Sequence, residues 1–306
     1  MKPLALTALV HEGPMARAYL GLLHSEGYRL ERLVLMVSKR DPAHRTLVAP
    51  WLFLGLRLPL ARMVQDLRMN HWPREFLRRH ATLCKPWLRT MGQVFGFDAG
   101  AYQSLTERPS YARYADFVDV VFTDGLADRA LHEHLQALPS PTTLLFTGGG
   151  KVPSSLLDLP GKRFIHVHPG VLPHVRGSDG LLWSMLLRGR PGATAFYMSP
   201  GLDTGDIICA TDLPAVPPLP AGWAGLDSAL AYRLLYAFVD PMLRAVLLRR
   251  VLTEAGGALH DLPTQAQRDD EGTTFHFMNE RMRRFAFARM QTLADAQGLA
   301  VELPHG

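Results

Sequence analysis

Leu4-Ala5-Leu6-Thr7-Ala8-Leu9-Val10, then Gly13-Pro14, then Ala16, Leu20, Leu22 and Leu23 at helical spacing, then Leu33-Val34-Leu35-Met36-Val37: this opening stretch decides the fold. The first apolar run is short and bounded by turn residues, which reads as a buried strand. It superficially resembles a signal peptide, but it runs straight into an amphipathic helix pattern that ends at Gly27. Strand, helix and strand in that order open a Rossmann-like unit, because parallel strands need a crossover between them.

Further along, the same alternation returns. Phe117 to Phe122 reads as a strand and Leu126 to Leu138 as a helix. A strand at Thr142 to Thr147 leads into the loop Gly148-Gly149-Gly150-Lys151-Val152-Pro153. Phe164 to Val167 follows as a strand, Ser178 to Arg188 as a helix and Ala193 to Met198 as a strand. Asp206 to Ala210 continues the sheet in an antiparallel or edge role. Leu226 to Leu252 is helical with an interruption at Asp240-Pro241, Gly272 to Asn279 is a strand or turn, and Glu280 to Ala296 is a last helix. The fold class expected is α/β, with a Rossmann-like, mostly parallel sheet. Residues 1–215 are expected to form the main domain, with 39–115 a basic, helical insertion within it, and 216–306 a mainly helical region. The Pro-rich run Leu213 to Pro220 is a connector.

With 47% hydrophobic and 20% charged residues among 306, the chain can bury a full core. It has no apolar run on the order of 18 residues, so no spanning helix is expected. Cys84 and Cys209 lack any zinc spacing and fit a reducing cytoplasm rather than a disulfide scaffold. The formal charge of +5 is concentrated between Lys39 and Arg89, where only Asp41, Asp66 and Glu75 oppose the basic residues. Within that segment, peripheral membrane contact through Trp51 to Leu60 is weighed but not favoured: its leucines are expected to pack on the main domain, with the arginines solvated. Basic and aromatic residues interleave at Arg68 to Arg74, but no RNA-binding module follows the catalytic core, which argues against nucleic acid as a partner.

The chemistry concentrates in Phe164-Ile165-His166-Val167-His168-Pro169-Gly170-Val171-Leu172-Pro173-His174-Val175-Arg176-Gly177. Side chains alternate along a strand, so His166 and His168 share one face. Pro169 and Pro173 stop regular pairing, which places both imidazoles at a strand's C-terminal end, where ligands bind in open α/β sheets. Two satisfied, partly buried histidines are the plain alternative. In Ser199-Pro200-Gly201-Leu202-Asp203-Thr204-Gly205-Asp206, glycines flank an acid as in a tight ligand loop or an ordinary turn, and spacing does not choose between Asp203 and Asp206. The Gly148 to Gly150 turn lacks the spacing of a phosphate loop; close approach of backbone to a flat heterocycle suits it better. His166, His168, His174 and an aspartate are also zinc-type ligands, although His174 lies beyond Pro173.

Together these stretches resemble the folate-dependent formyltransferase family. Its pattern is Asn-x-His-Pro-x-x-Leu-Pro, a following Arg-Gly, a helix, a Gly-x-Thr strand and an Asp-x-Gly-x-Ile loop. Here the pattern reads His166-Val167-His168-Pro169-Gly170-Val171-Leu172-Pro173, Arg176-Gly177, Gly192-Ala193-Thr194 and Asp203-Thr204-Gly205-Asp206-Ile207, over roughly residues 142 to 212. The resemblance implies catalytic roles for His168 and Asp203. It also implies a 10-formyltetrahydrofolate donor lying against Gly148, Gly149, Gly150, Lys151, Val152 and Pro153 and against Ser199 to Asp203, including Leu202, with no metal.

One departure matters: His166 stands where the family has Asn. An amide is a neutral donor to an oxyanion, whereas imidazole donates only in the right tautomer or when protonated. The expectation is an active transferase in which His166 replaces the amide. Its acceptor would be an amine or hydroxylamine of a small metabolite, and Arg176 would either bind an anionic part of a ligand or fix the loop after the histidines. The rival readings are a metal-dependent hydrolase using the His166/His168 pair and a catalytically silent folate-binding protein. Oligomeric state is not readable.

Overall fold

The computed structural model describes residues 1–108, 110–213, 215–217, 227–268 and 271–299. Strand β1 (Lys2–His11), helix α1 (Pro14–Ser25) and strand β2 (Tyr28–Ser38) form the expected opening unit, with β1 and β2 parallel. Helices α2 (Leu54–Met69), α3 (His71–Arg79), α4 (Ala81–Phe95) and α5 (Ala99–Gln103) then lead to β3 (Ala115–Thr123). Helix α6 (Arg129–Gln136), strand β4 (Thr142–Phe146), the short helix α7 (Ser154–Leu157) and strand β5 (Lys162–His168) follow. Next come β6 (Val175–Gly177), α8 (Gly180–Arg188), β7 (Gly192–Tyr197) and β8 (Ile207–Asp212). The chain continues through α9 (Ser228–Leu234), α10 (Asp240–Glu254), β9 (Thr273–Phe275) and α11 (Glu280–Ala296).

The seven-stranded sheet runs β3-β2-β1-β4-β5-β7-β8. Its first five strands are parallel, while β7 and β8 are antiparallel to their neighbours. β8 is thus both antiparallel and the edge strand, which resolves the open reading of residues 206 to 210. Both faces are covered, as a parallel sheet requires. Leu4, Leu6, Ala8 and Val10 of β1 turn toward α1 and α10, whereas Leu9 turns to Val34, Val121 and the α6 residues Leu131 and Leu135. Helix α6 begins later than Leu126 because the Asp128 carboxylate accepts from the Ala130 amide at 2.9 Å and caps it there.

The segment between β2 and β3 is helical, as expected, and shares the main core. Phe76, Trp87 and Met91 pack in one cluster with Leu234 and Phe238, and Trp87 meets Phe238 edge to face. Its anchor is Arg17 of α1, which is 1% exposed. The guanidinium pairs with Glu12 at 2.7 Å and Asp66 at 2.6 Å and donates to the Ser104 and Glu107 carbonyls. A buried charge is tolerated here because its donors find acceptors. The expected packing of the segment's apolar residues fails at its start: Trp51, Phe53, Leu54 and Leu56 stand exposed. The neighbouring core side of α2 is filled by Ala61 and Gln65, which leaves the outward stripe uncovered.

Asp240-Pro241 does not interrupt the C-terminal helix. The chain widens into a π turn at Leu235–Val239 and continues directly as α10. A proline lacks the amide that would close the preceding helical turn, and a local widening accommodates that loss. Half of the Pro-rich connector, residues 214 and 218–220, lies outside the described residues. No helix among the described residues is long and apolar enough to cross a membrane.

Candidate active site

Three segments converge at the C-terminal edge of the parallel strands: the end of β4, the end of β5 and the β7–β8 loop. His166 and His168 share a face of β5, as alternation requires, opposite Phe196 and Thr194 of β7. His166 lies between the rings of Phe146 and Phe196, at 5.7 and 6.0 Å between centroids. Its Nδ1 is 3.1 Å from the Phe146 carbonyl oxygen. A carbonyl only accepts, so this bond places the proton on Nδ1 and leaves Nε2 with a lone pair. Burial pushes the imidazole down to about 3, with Arg244 adding to the effect. Neutral His166 therefore offers an acceptor, not the N–H expected of an amide substitute.

His168 is fully enclosed. Its Nε2 lies 2.8 Å from the Val175 carbonyl oxygen, and a Cβ on Gly170 or Gly180 would come within 2.9 or 3.2 Å of that nitrogen. The same logic puts the proton on Nε2 and the lone pair on Nδ1, which faces Asp203 Oδ1 at 3.5 Å. Burial holds His168 below the ordinary imidazole value; the Asp203 carboxylate pulls it back up and Arg244 pushes it down. Protonation at Nδ1 creates a charge that Asp203 stabilises.

Asp203 is held from three sides. Its Oδ2 accepts from the Gly177 amide at 2.7 Å, and its backbone is left-handed at φ 53°. A non-glycine residue in that region carries strain that surrounding contacts must offset. Here Gln267 donates to the carbonyls of Asp203 at 3.2 Å and Gly205 at 2.7 Å. Gly205 is obligatory, since its φ is +114° and a Cβ would stand 2.0 Å from the Tyr197 carbonyl oxygen. Asp206 is exposed, and its carbonyl is used by the Tyr197 amide at 2.9 Å. The structure thus separates the two aspartates that spacing left equal.

Arg176, expected to bind a ligand, donates to Gln267 Oε1 at 2.9 Å. It reaches the Asp203 loop through Gln267, in a supporting position. At the end of β4, Gly148 is buried and Gly149, Gly150 and Lys151 are exposed, whereas Val152 is buried and Pro153 partly so. A Cβ on Gly148 would collide with the Phe146 ring at 2.5 Å, yet nothing lies within 4 Å of one on Gly149 or Gly150. The loop therefore presents bare backbone to open space at the end of β4. Leu202, 43% exposed, is an apolar tip on the Asp203 loop.

Sequence reasoning missed Arg244 and Asp240. Partly buried Arg244 pairs with buried Asp240 at 2.9 Å and donates to the Val167 carbonyl between the two histidines at 3.3 Å. The signal was available as an acid and a base four residues apart in a helix whose residues 241–248 are otherwise apolar. Asp179 was missed too: its carboxylate accepts from Tyr232, Tyr236 and the Met278 amide. Among the described residues, no group of three or more His, Cys, Asp and Glu is placed to hold a metal ion.

A candidate site at the C-terminal edge of a Rossmann-like, mostly parallel sheet is what this arrangement defines. Residues 117–220 match the formyl transferase family model. The chain is 35% identical to the methionyl-tRNA formyltransferase of Syntrophus aciditrophicus over 155 residues, covering 50% of this chain and 45% of that protein. It is 37% identical to that of Desulforamulus reducens over 70 residues, 22% of each chain. The chain thus spans less than half the length of these relatives. Among solved structures, the sugar 3N-formyl transferase WlaRD is 11% identical, with 96% of this chain and 81% of that chain covered and a TM-score of 0.41.

Proposed function

We propose that this protein is an enzyme that transfers a formyl group from 10-formyltetrahydrofolate to an amine or hydroxylamine of a small metabolite. The observation that carries the reading is the convergence of His168 Nδ1 and the Asp203 carboxylate at 3.5 Å, beside an open glycine loop. The donor supplies an activated formyl carbon. The bare backbone at Gly149 and Gly150, with Lys151, Val152, Pro153 and Leu202 around it, fits its flat ring.

An attacking amine must lose a proton once its nitrogen bonds to carbon. His168 is neutral at neutral pH because burial lowers its pKa, so its Nδ1 lone pair takes that proton. Asp203 stabilises the resulting imidazolium, and the proton then returns to the leaving nitrogen. The Nε2 lone pair of His166 accepts an N–H or O–H from the acceptor and orients its nucleophilic lone pair. The Arg244–Asp240 pair beneath β5 holds the strand between the two histidines. A metal-dependent hydrolase is less favoured, because among the described residues no group of three or more His, Cys, Asp and Glu is placed to hold a metal ion.

The methionyl-tRNA formyltransferases it resembles make formyl transfer the favoured chemistry. Since less than half of the first relative is matched, its tRNA acceptor does not come with the likeness. Calorimetry with a dideazafolate analogue of the donor tests the reading: absence of binding removes the folate. Incubation with labelled donor and either amino sugar nucleotides or methionyl-tRNA then separates acceptors, and formylation of the tRNA alone would reassign the acceptor. Cys84 and Cys209 are both free, consistent with a cytoplasmic protein.

A further inference from the structure

The stretch from Pro42 to Gln65 contains Arg45, Arg57 and Arg62 but no Asp or Glu. Its apolar residues do not turn inward: Trp51 is 81% exposed, Phe53 69%, Leu54 61% and Leu56 53%. Met63 and Leu67, about two and three turns beyond Leu56 on the outer side of α2, extend the same stripe. A contiguous exposed apolar patch of this kind marks an interaction surface rather than ordinary surface scatter.

The charges around the patch identify its occupant. Arg57 donates to the Val48 carbonyl and lies over the Phe122 ring, and Arg62 lies over the Tyr111 ring; neither meets a carboxylate among the described residues. The nearest acids are already engaged: Asp41 with Arg68, Asp66 with Arg17 and Arg74, Asp124 with Arg40. The face is therefore apolar, aromatic at its tip and net positive. A second copy packed across a two-fold axis would set these arginines against their own images with no acid to relieve them. The aliphatic residues Leu54, Leu56, Met63 and Leu67 offer nucleic acid neither stacking nor hydrogen bonds. An anionic bilayer matches all three properties, since interfacial segments bury aromatic and aliphatic side chains while arginines meet headgroup phosphates.

We propose that the face made by Trp51 to Leu56 and the outer side of α2 docks on the surface of an anionic lipid bilayer. Docking of this kind needs no spanning helix.

Vesicle flotation with the full chain tests this. The protein is expected to float with vesicles of equimolar phosphatidylcholine and phosphatidylglycerol and not with phosphatidylcholine alone, with binding weakened by salt. Trp51 fluorescence should shift to the blue on binding. Trp51→Ala combined with Phe53→Ala should lower the partition coefficient at least about tenfold, and Arg45→Glu combined with Arg62→Glu likewise. These side chains are exposed, so the thermal midpoint should not move. If the variants misfold, the comparison of the two vesicle compositions with the unaltered chain still decides. No flotation with anionic vesicles overturns the proposal. So does a concentration-dependent dimer that Trp51→Glu dissociates, or binding of bulk tRNA, where vesicles do not bind.

Discussion

His166→Asn isolates the electrostatic consequence of placing an imidazole where the family carries an amide. His166 is 7% exposed, and burial pushes its pKa to about 3. In the unfolded chain it returns to about 6.5. Between those two values the unfolded chain binds a proton that the native protein does not, so stability falls as pH falls, by about 1.4 kcal/mol per pH unit. From about pH 7.5 to about pH 5, the span below the unfolded value is about 1.5 units, which corresponds to about 2 kcal/mol. Asparagine does not titrate, and His168 and the other groups are common to both proteins. The variant should therefore gain about 2 kcal/mol relative to the wild type on acidification, roughly a 30-fold change in the folding equilibrium. Urea unfolding of both proteins at the two pH values measures that difference. Parallel pH dependence in the two proteins would refute the buried neutral imidazole. Imidazole nitrogen shifts give a second reading: a proton found on Nε2 rather than Nδ1 would refute the Phe146 hydrogen bond as its cause. Since Asn restores the family's amide, His166→Asn is also expected to retain turnover.

His168→Ala and Asp203→Ala are each expected to lower turnover by at least about 100-fold while the far-ultraviolet spectrum is unchanged; full activity in either removes that residue from the mechanism. Because burial lowers the His168 pKa, the acid limb of the rate profile should fall below about pH 6.5, and a limb above that value contradicts the assignment of the base. Gly149→Val fits the fold, since nothing lies within 4 Å of its Cβ, but it should weaken binding of the donor analogue about tenfold or more by calorimetry; unchanged affinity places the ring elsewhere. Tyr197→Phe deletes a hydroxyl that bonds the carbonyls of Leu259 and His260 and the Leu262 amide. The loss should cost about 1–3 kcal/mol in unfolding experiments, and a neutral result would show that water replaces it.

Much of the architecture was legible in the chain because it depends on periodicity, a local property. The runs at Leu4 to Val10 and Leu33 to Val37 could be read as parallel strands around a helix without any contact being known, and the last helix from Glu280 to Ala296 was read with its correct bounds. The positions of His166 and His168 on one face follow from alternation alone. Asp240-Pro241 misled for the opposite reason: whether a proline stops or only widens a helix depends on the packing around it, and Leu235, Phe238 and Val239 are all buried.

What tertiary structure alone decided is the direction in which each polar group points. Spacing at residues 199 to 206 left two aspartates of equal standing and the resemblance pointed to Asp203, but where its carboxylate points is set by the Gly177 amide and the Gln267 clamp, brought from 26 and 64 residues away. His166 was read as a stand-in for an amide donor, but its proton is committed to the Phe146 carbonyl, 20 residues distant. The exposed stripe beginning at Trp51 is equally invisible to periodicity, because an apolar stripe looks the same whether a core covers it or not. Sequence pattern specifies which residues share a face; the long-range contacts made on folding specify what that face meets, and protonation and binding both depend on the second.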